Sequence, residues 1–220
     1  MGLEDLRDLR ESLLRVGSSH GNLHPWHQTQ EPFHLLIAEF FLRRTTRTVV
    51  ARVFPRMLQK YPTVESLAVA DPEDVWNIAR EAGLKQRTMR LPQVAKAVLE
   101  QGGIRPDRAA IMSFPSVGPY IADAILLYAF NSPAFALDSS VQRVLSRAVK
   151  GAEPKKNSDP YKDKALSETV TTLTTGLESA DLRTLHQGVL YIAWGFCRPR
   201  PLCPKCPLQK ICNYGADFAL

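Results

Sequence analysis

Apolar residues recur along most of the chain at intervals of three and four, the period of an α-helix that buries one face. Leu3, Leu6, Leu9, Leu13 and Leu14 begin the pattern, and Gly17 stands where it can end the first helix. Residues 18–31 are mostly polar, with Gly21 and Pro25 among them, and read as a connecting loop in which Trp26 is the conspicuous apolar side chain. Pro32-Phe33 opens an intensely apolar helix over roughly residues 33–44. Asp71-Pro72-Glu73-Asp74 is a helix start: a capping carboxylate, proline in the first turn, then acids near the positive end of the dipole. Further helices are expected near residues 84–101, 105–113, 119–130, 139–150, 163–176 and 182–195, with a polar connector from Lys150 to Asp163. No stretch alternates long enough to suggest a sheet, so the expected fold class is all-α.

Composition narrows the partners. The chain has 220 residues, 45% hydrophobic, enough for one large core or two smaller ones. Its formal net charge of +6 favours a polyanion, nucleic acid before membrane, because no basic amphipathic helix with a lipid-facing aromatic side stands out. No apolar run is long enough for a bilayer, so no membrane partner is expected. The opening MGLEDLRDLR is charged from the start and is not a signal peptide, and Leu6 stands where myristoylation needs Ser or Thr. The expected setting is therefore intracellular, cytoplasmic or nucleoid-associated.

Four cysteines, the only ones in the chain, close the sequence as C-x5-C-x2-C-x5-C: Cys197, Cys203, Cys206 and Cys212. In a reducing interior a metal centre is the better reading than two disulfides. Pro204 and Pro207 stiffen the loop between them. An all-thiolate set suits a [4Fe–4S] cluster or a structural zinc ion, and the spacing alone does not choose. The histidines His20, His24, His27 and His34 are irregularly spaced, fit no ligand pattern, and read as ordinary loop and helix-start residues.

Three further elements carry candidate chemistry. Phe114-Pro115-Ser116-Val117-Gly118-Pro119-Tyr120 lies between two helices; its tight turn would leave backbone N–H groups at a helix N-terminus for a DNA phosphate, or it is an ordinary helix–helix turn. Asp138 ends an apolar approach and begins a helix, which is also what a plain N-cap does. Glu39 is the sole polar side chain in the window Leu35–Leu42, where apolar residues surround the whole helix circumference. A desolvated carboxylate holds its proton and suits a general acid, whereas a paired surface glutamate would do nothing of the kind.

In this order and spacing, from about Trp26 to Cys212, these elements resemble the helix-hairpin-helix DNA glycosylases, in the branch of endonuclease III, the adenine glycosylases and the thymine–DNA mismatch glycosylases. The resemblance implies two helical lobes with a DNA cleft between them: residues 34–134 as a helical barrel domain carrying the hairpin, and residues 1–33 plus 135–220 as the iron–sulfur cluster domain. It implies that the cysteines hold a [4Fe–4S] cluster and that the partner is double-stranded DNA with a mismatched or damaged base, bound by a monomer. Asp138 matches the family's catalytic aspartate, and Glu39 the catalytic glutamate of the adenine and mismatch branches. Tyr120 stands where bifunctional members carry the Schiff-base lysine, so the expected enzyme is monofunctional. Leu42-Arg43-Arg44-Thr45-Thr46 resembles the mismatch branch most. Arg44 would fill the gap left by the extruded base, Leu84 would wedge into the opposite strand, and Arg43, Arg47, Val117 and Gly118 would bind DNA. The implied substrate is thymine or uracil opposite guanine. Adenine opposite oxidised guanine is the runner-up; adenine glycosylases usually carry a further C-terminal domain, and this sequence stops eight residues after Cys212. A catalytically silent iron–sulfur DNA-binding module is the alternative of another class. Departures from the family pattern are Ser116 for the hairpin's first glycine, Phe114 for its leucine, and a first cysteine gap of x5 where x6 is common. If that glycine needs positive φ, serine strains the turn.

Overall fold

A computed structural model of the chain describes residues 2–21, 24–43 and 45–216. Among them every regular element is helical and no strand occurs. In chain order the α-helices are α1 (Leu3–His20), α2 (Pro32–Leu42), α3 (Arg47–Lys60), α4 (Val64–Ala68), α5 (Pro72–Ala79), α6 (Lys85–Thr88), α7 (Leu91–Glu100), α8 (Arg108–Met112), α9 (Pro119–Ala129), α10 (Ser139–Lys150), α11 (Lys164–Thr174) and α12 (Ser179–Gly195). No helix is long and apolar enough to cross a membrane among the described residues.

The helices divide into two compact units, Met1–Gly21 with Phe135–Leu220, and Asn22–Ala134. The chain thus leaves the first unit at Gly21, and the 3₁₀ turn Pro25–Gln28 with its buried Trp26 belongs to the second.

In the first unit α1 lies along α12, and α10 packs on α12 beside it. Leu9, Leu13, Val144, Leu145, Leu185 and Val189 meet in its core, each almost wholly out of water. Gly17 does not end α1, which runs on to His20. It marks the crossing with α12: a Cβ there would come within 1.9 Å of the Thr184 carbonyl oxygen, and one on Gly188 within 2.0 Å of the Leu13 carbonyl. The two helices touch backbone to backbone, and no larger residue fits at either point.

In the second unit α2 packs on α9 and α4 on α7. Leu36, Phe40, Val50, Phe54, Ile121 and Ile125 are buried there. The expected single helix over residues 84–101 is two, because Pro92 is tolerated only in a first turn and α7 restarts at Leu91 to provide one. Asp71 caps α5 as expected, its carboxylate accepting the Glu73 amide at 2.8 Å. Capping at the next scale of importance is that of α10, which Asp138 opens and Gly151, at φ 66°, closes.

Candidate active site

Asp138 is half-buried at the head of α10. Its Oδ1 accepts the amides of Ser140 at 2.8 Å and Val141 at 2.7 Å, while Oδ2 accepts no hydrogen bond among the described residues. Capping uses one oxygen and leaves the other for chemistry, so the two readings of this aspartate are compatible. The approach to it is fixed on both sides. The Tyr161 hydroxyl accepts the Leu137 amide at 3.2 Å, and the fully buried His186 sets Nε2 2.9 Å from the Ala136 carbonyl. A carbonyl only accepts, so Nε2 carries the hydrogen. Burial pulls His186 down to about 4, against the opposing pull of the Ala136 carbonyl and the Asp138 charge, so the ring is neutral at ordinary pH.

The four cysteines lie in the same unit. All four are free thiols, and all four line one cavity together with Arg147, Phe196 and Tyr214. Burial raises the thiols of Cys203, Cys206 and Cys212, and the neighbouring cysteines raise them further; Cys206 reaches about 11. Arg147, 2% exposed, organises the loop around them. It donates to the Cys197 sulfur at 3.4 Å and the Arg198 carbonyl at 2.7 Å, pairs with Glu153 at 2.6 Å, and lies 4.9 Å over the Tyr214 ring. Arg143 donates to the Cys197 carbonyl at 2.7 Å. No group of three or more His, Cys, Asp or Glu side chains converges as a single metal ion requires, among the described residues.

The other candidates belong to the second unit. Glu39 is 4% exposed, with buried apolar neighbours before and after it in α2. The hairpin is α8, the turn from Ser113 to Gly118, and α9; Arg108 and Asp123 lock its two helices through bonds of 2.6 and 3.2 Å. Ser116 adopts φ 63°, the left-handed conformation a glycine would take without strain. The turn closes through the Val117 amide, which donates to the Phe114 carbonyl at 3.1 Å, so that amide is committed within the hairpin. Gly118 precedes Pro119, which has no N–H, and no side chain caps α9. Tyr120 is half-buried in that first turn. Leu84 holds φ 59° ahead of α6, a rare conformation for a bulky residue. Arg43 is exposed at the end of α2, and Arg44 lies outside the described residues.

Arg47, expected to bind DNA, has a partner within the protein. It is half-buried, with Nη1 3.4 Å from His24 Nε2, and burial lowers its proton affinity. A guanidinium only donates, so His24 accepts through Nε2 and carries its hydrogen on Nδ1. Burial, then Arg47, hold this imidazole below its ordinary value. His24 stacks on Trp26 at 4.6 Å and His27 on Tyr128 at 6.0 Å. These histidines are therefore parts of an aromatic array, which irregular spacing did not reveal; the sequence signal was Trp26 between them.

Residues 37–168 match the family described as HhH-GPD superfamily base excision DNA repair protein. The chain is 35% identical over 195 residues to a thymine-DNA glycosylase of Aeropyrum pernix, covering 86% of each. It is 33% identical over 194 residues to a thymine/uracil-DNA glycosylase of Methanothermobacter thermautotrophicus, covering 86% of this chain and 85% of the relative. The solved structure of a thermostable thymine-DNA glycosylase superposes with a TM-score of 0.84 at 29% identity, covering 97% of this chain and 98% of that one. A helical fold in two units, a helix-hairpin-helix, a capped aspartate with an unused oxygen and this similarity over most of the length agree: the chain belongs to the HhH-GPD superfamily of base excision DNA repair proteins.

Proposed function

We propose that this protein is a monofunctional DNA glycosylase that removes thymine or uracil opposite guanine, acting as a monomer on duplex DNA inside the cell. The observation that carries the reading is Asp138, its Oδ1 fixed by two amides and its Oδ2 without a hydrogen bond among the described residues. An enzyme cannot reach a base inside the stack, and unstacking costs least at a mismatch, so the nucleotide is first rotated out. As the N-glycosidic bond breaks, positive charge grows on the sugar, and a carboxylate already held in place stabilises it without reorganising. Glu39, sequestered from water in α2, is the group to protonate the leaving base or orient the water. Water adds hydroxide to the sugar carbon and the base departs with a proton. Tyr120 offers no amine for a Schiff base, so the abasic site is left intact. The Gly118 amide and Arg43, which is exposed, would hold phosphates, and Leu84, at φ 59°, would enter the stack.

The four thiols around one cavity suit a [4Fe–4S] cluster or a zinc ion, and the resemblance to the endonuclease III and adenine glycosylase branch favours the cluster. Cys197, Cys203, Cys206 and Cys212 would hold it, and it would act as a covalent staple of the C-terminal loop. The purified protein should be brown, with about four irons per chain; a colourless zinc protein would refute the cluster.

The decisive experiment incubates the protein with duplexes carrying G:T, G:U, or A opposite oxidised guanine, with and without alkali. Strand breaks are expected at T and U opposite G, and only after alkali. Asp138→Asn should abolish excision, a loss of at least about a thousandfold, while duplex binding persists. Normal turnover in that variant would remove the assigned role, and nicking before alkali would contradict the argument from Tyr120.

A further inference from the structure

Arg87 is a basic residue that the sequence pattern did not single out. It lies in α6, three residues after Leu84, and its amide donates to the Leu84 carbonyl at 2.9 Å. Its guanidinium sits 4.2 Å above the ring of Phe40 in α2. Nη2 reaches the Ser116 carbonyl in the hairpin turn at 3.4 Å, and Nε is enclosed with no acceptor. One side chain thus joins the end of α2, the start of α6 and the hairpin.

Arg43, the residue that follows α2, is near enough for its charge to disfavour that of Arg87. Neither arginine is paired with a carboxylate among the described residues. Burial first, then Arg43, lower Arg87 to about 10, so that it stays charged at neutral pH in a place that disfavours charge. A half-buried cation beside a second cation is relieved by an anion between them. Guanidinium forks match phosphate oxygens in shape, and a stacked guanidinium is already oriented for them.

We propose that Arg87 and Arg43 form a seat for one backbone phosphate of duplex DNA. This rests on the glycosylase reading only in requiring that duplex DNA be bound. Because Arg87 also holds the Ser116 carbonyl, the seat keeps that phosphate in register with the hairpin and with the Leu84 element.

The test measures binding to a duplex with G opposite a tetrahydrofuran abasic analogue, with single methylphosphonates scanned along both strands. Arg87→Met and Arg43→Gln should each weaken binding about tenfold and lower the log–log salt slope by about 0.9. At one position a methylphosphonate should weaken the wild type by a similar factor and leave both variants unaffected. Arg43 is exposed, so its variant keeps the test intact if loss of the Phe40 stacking unfolds the other. Wild-type slopes and affinities in folded variants, or methylphosphonate effects that simply add to theirs at every position, would overturn the seat while leaving the glycosylase standing. Absence of duplex binding by the wild type would overturn both.

Discussion

Ser116 shows what a single residue can reveal about a turn. Its φ of 63° costs an L-residue about 1–2 kcal/mol, and glycine almost nothing. The hairpin keeps the strained geometry because the contacts around it over-determine it: the Val117 amide on the Phe114 carbonyl, the Arg108–Asp123 pair and Arg87 on the Ser116 carbonyl. Ser116→Gly should therefore stabilise the protein. The strain removed exceeds the extra freedom glycine gives the unfolded chain, about 0.4–1 kcal/mol, for a net gain of about 0.5–1 kcal/mol. The urea midpoint should rise with an unchanged slope; a lower midpoint would mean that the serine is held by something other than the turn.

At the scale of elements, the chain was legible where signals are local. Asp138 to Gly151 carries its own start and stop, and the helix appears between them. The four cysteines announced a shared cavity because their spacing is short. What misled was context. Gly17 resembles a terminator until α12 lies against it, and that contact comes from Thr184 and Gly188, far along the chain. The α3 helix carries Val50, Val53, Phe54 and Met57 at helix spacing, yet Pro55 sits among them and masks it. Arg147 and His186 could not be read as supports of the cysteine loop and the Asp138 approach, because their partners are about fifty residues away. Long-range packing decides such roles, and one sequence carries no trace of it.

For the molecule as a whole, the buried polar groups tie stability to pH. His186 is held neutral in the fold, at about 4, whereas in the unfolded chain it titrates at its ordinary 6.5. Between those values the unfolded state binds more protons, so stability rises with pH. The contribution is complete above about pH 6.5 and is lost as pH falls toward 4, a difference of about 3 kcal/mol. His24, lowered by burial and by Arg47, adds in the same direction. The loss should fall on the first unit, because His186 holds the segment that delivers Asp138 to the head of α10. His186→Gln can keep a donor to the Ala136 carbonyl without a titrating ring. Urea unfolding from pH 7.5 to 4.5 should show a steep fall in the wild type and a shallower one in the variant. Equal slopes in the two proteins would mean that His186 is not the group sensing the proton.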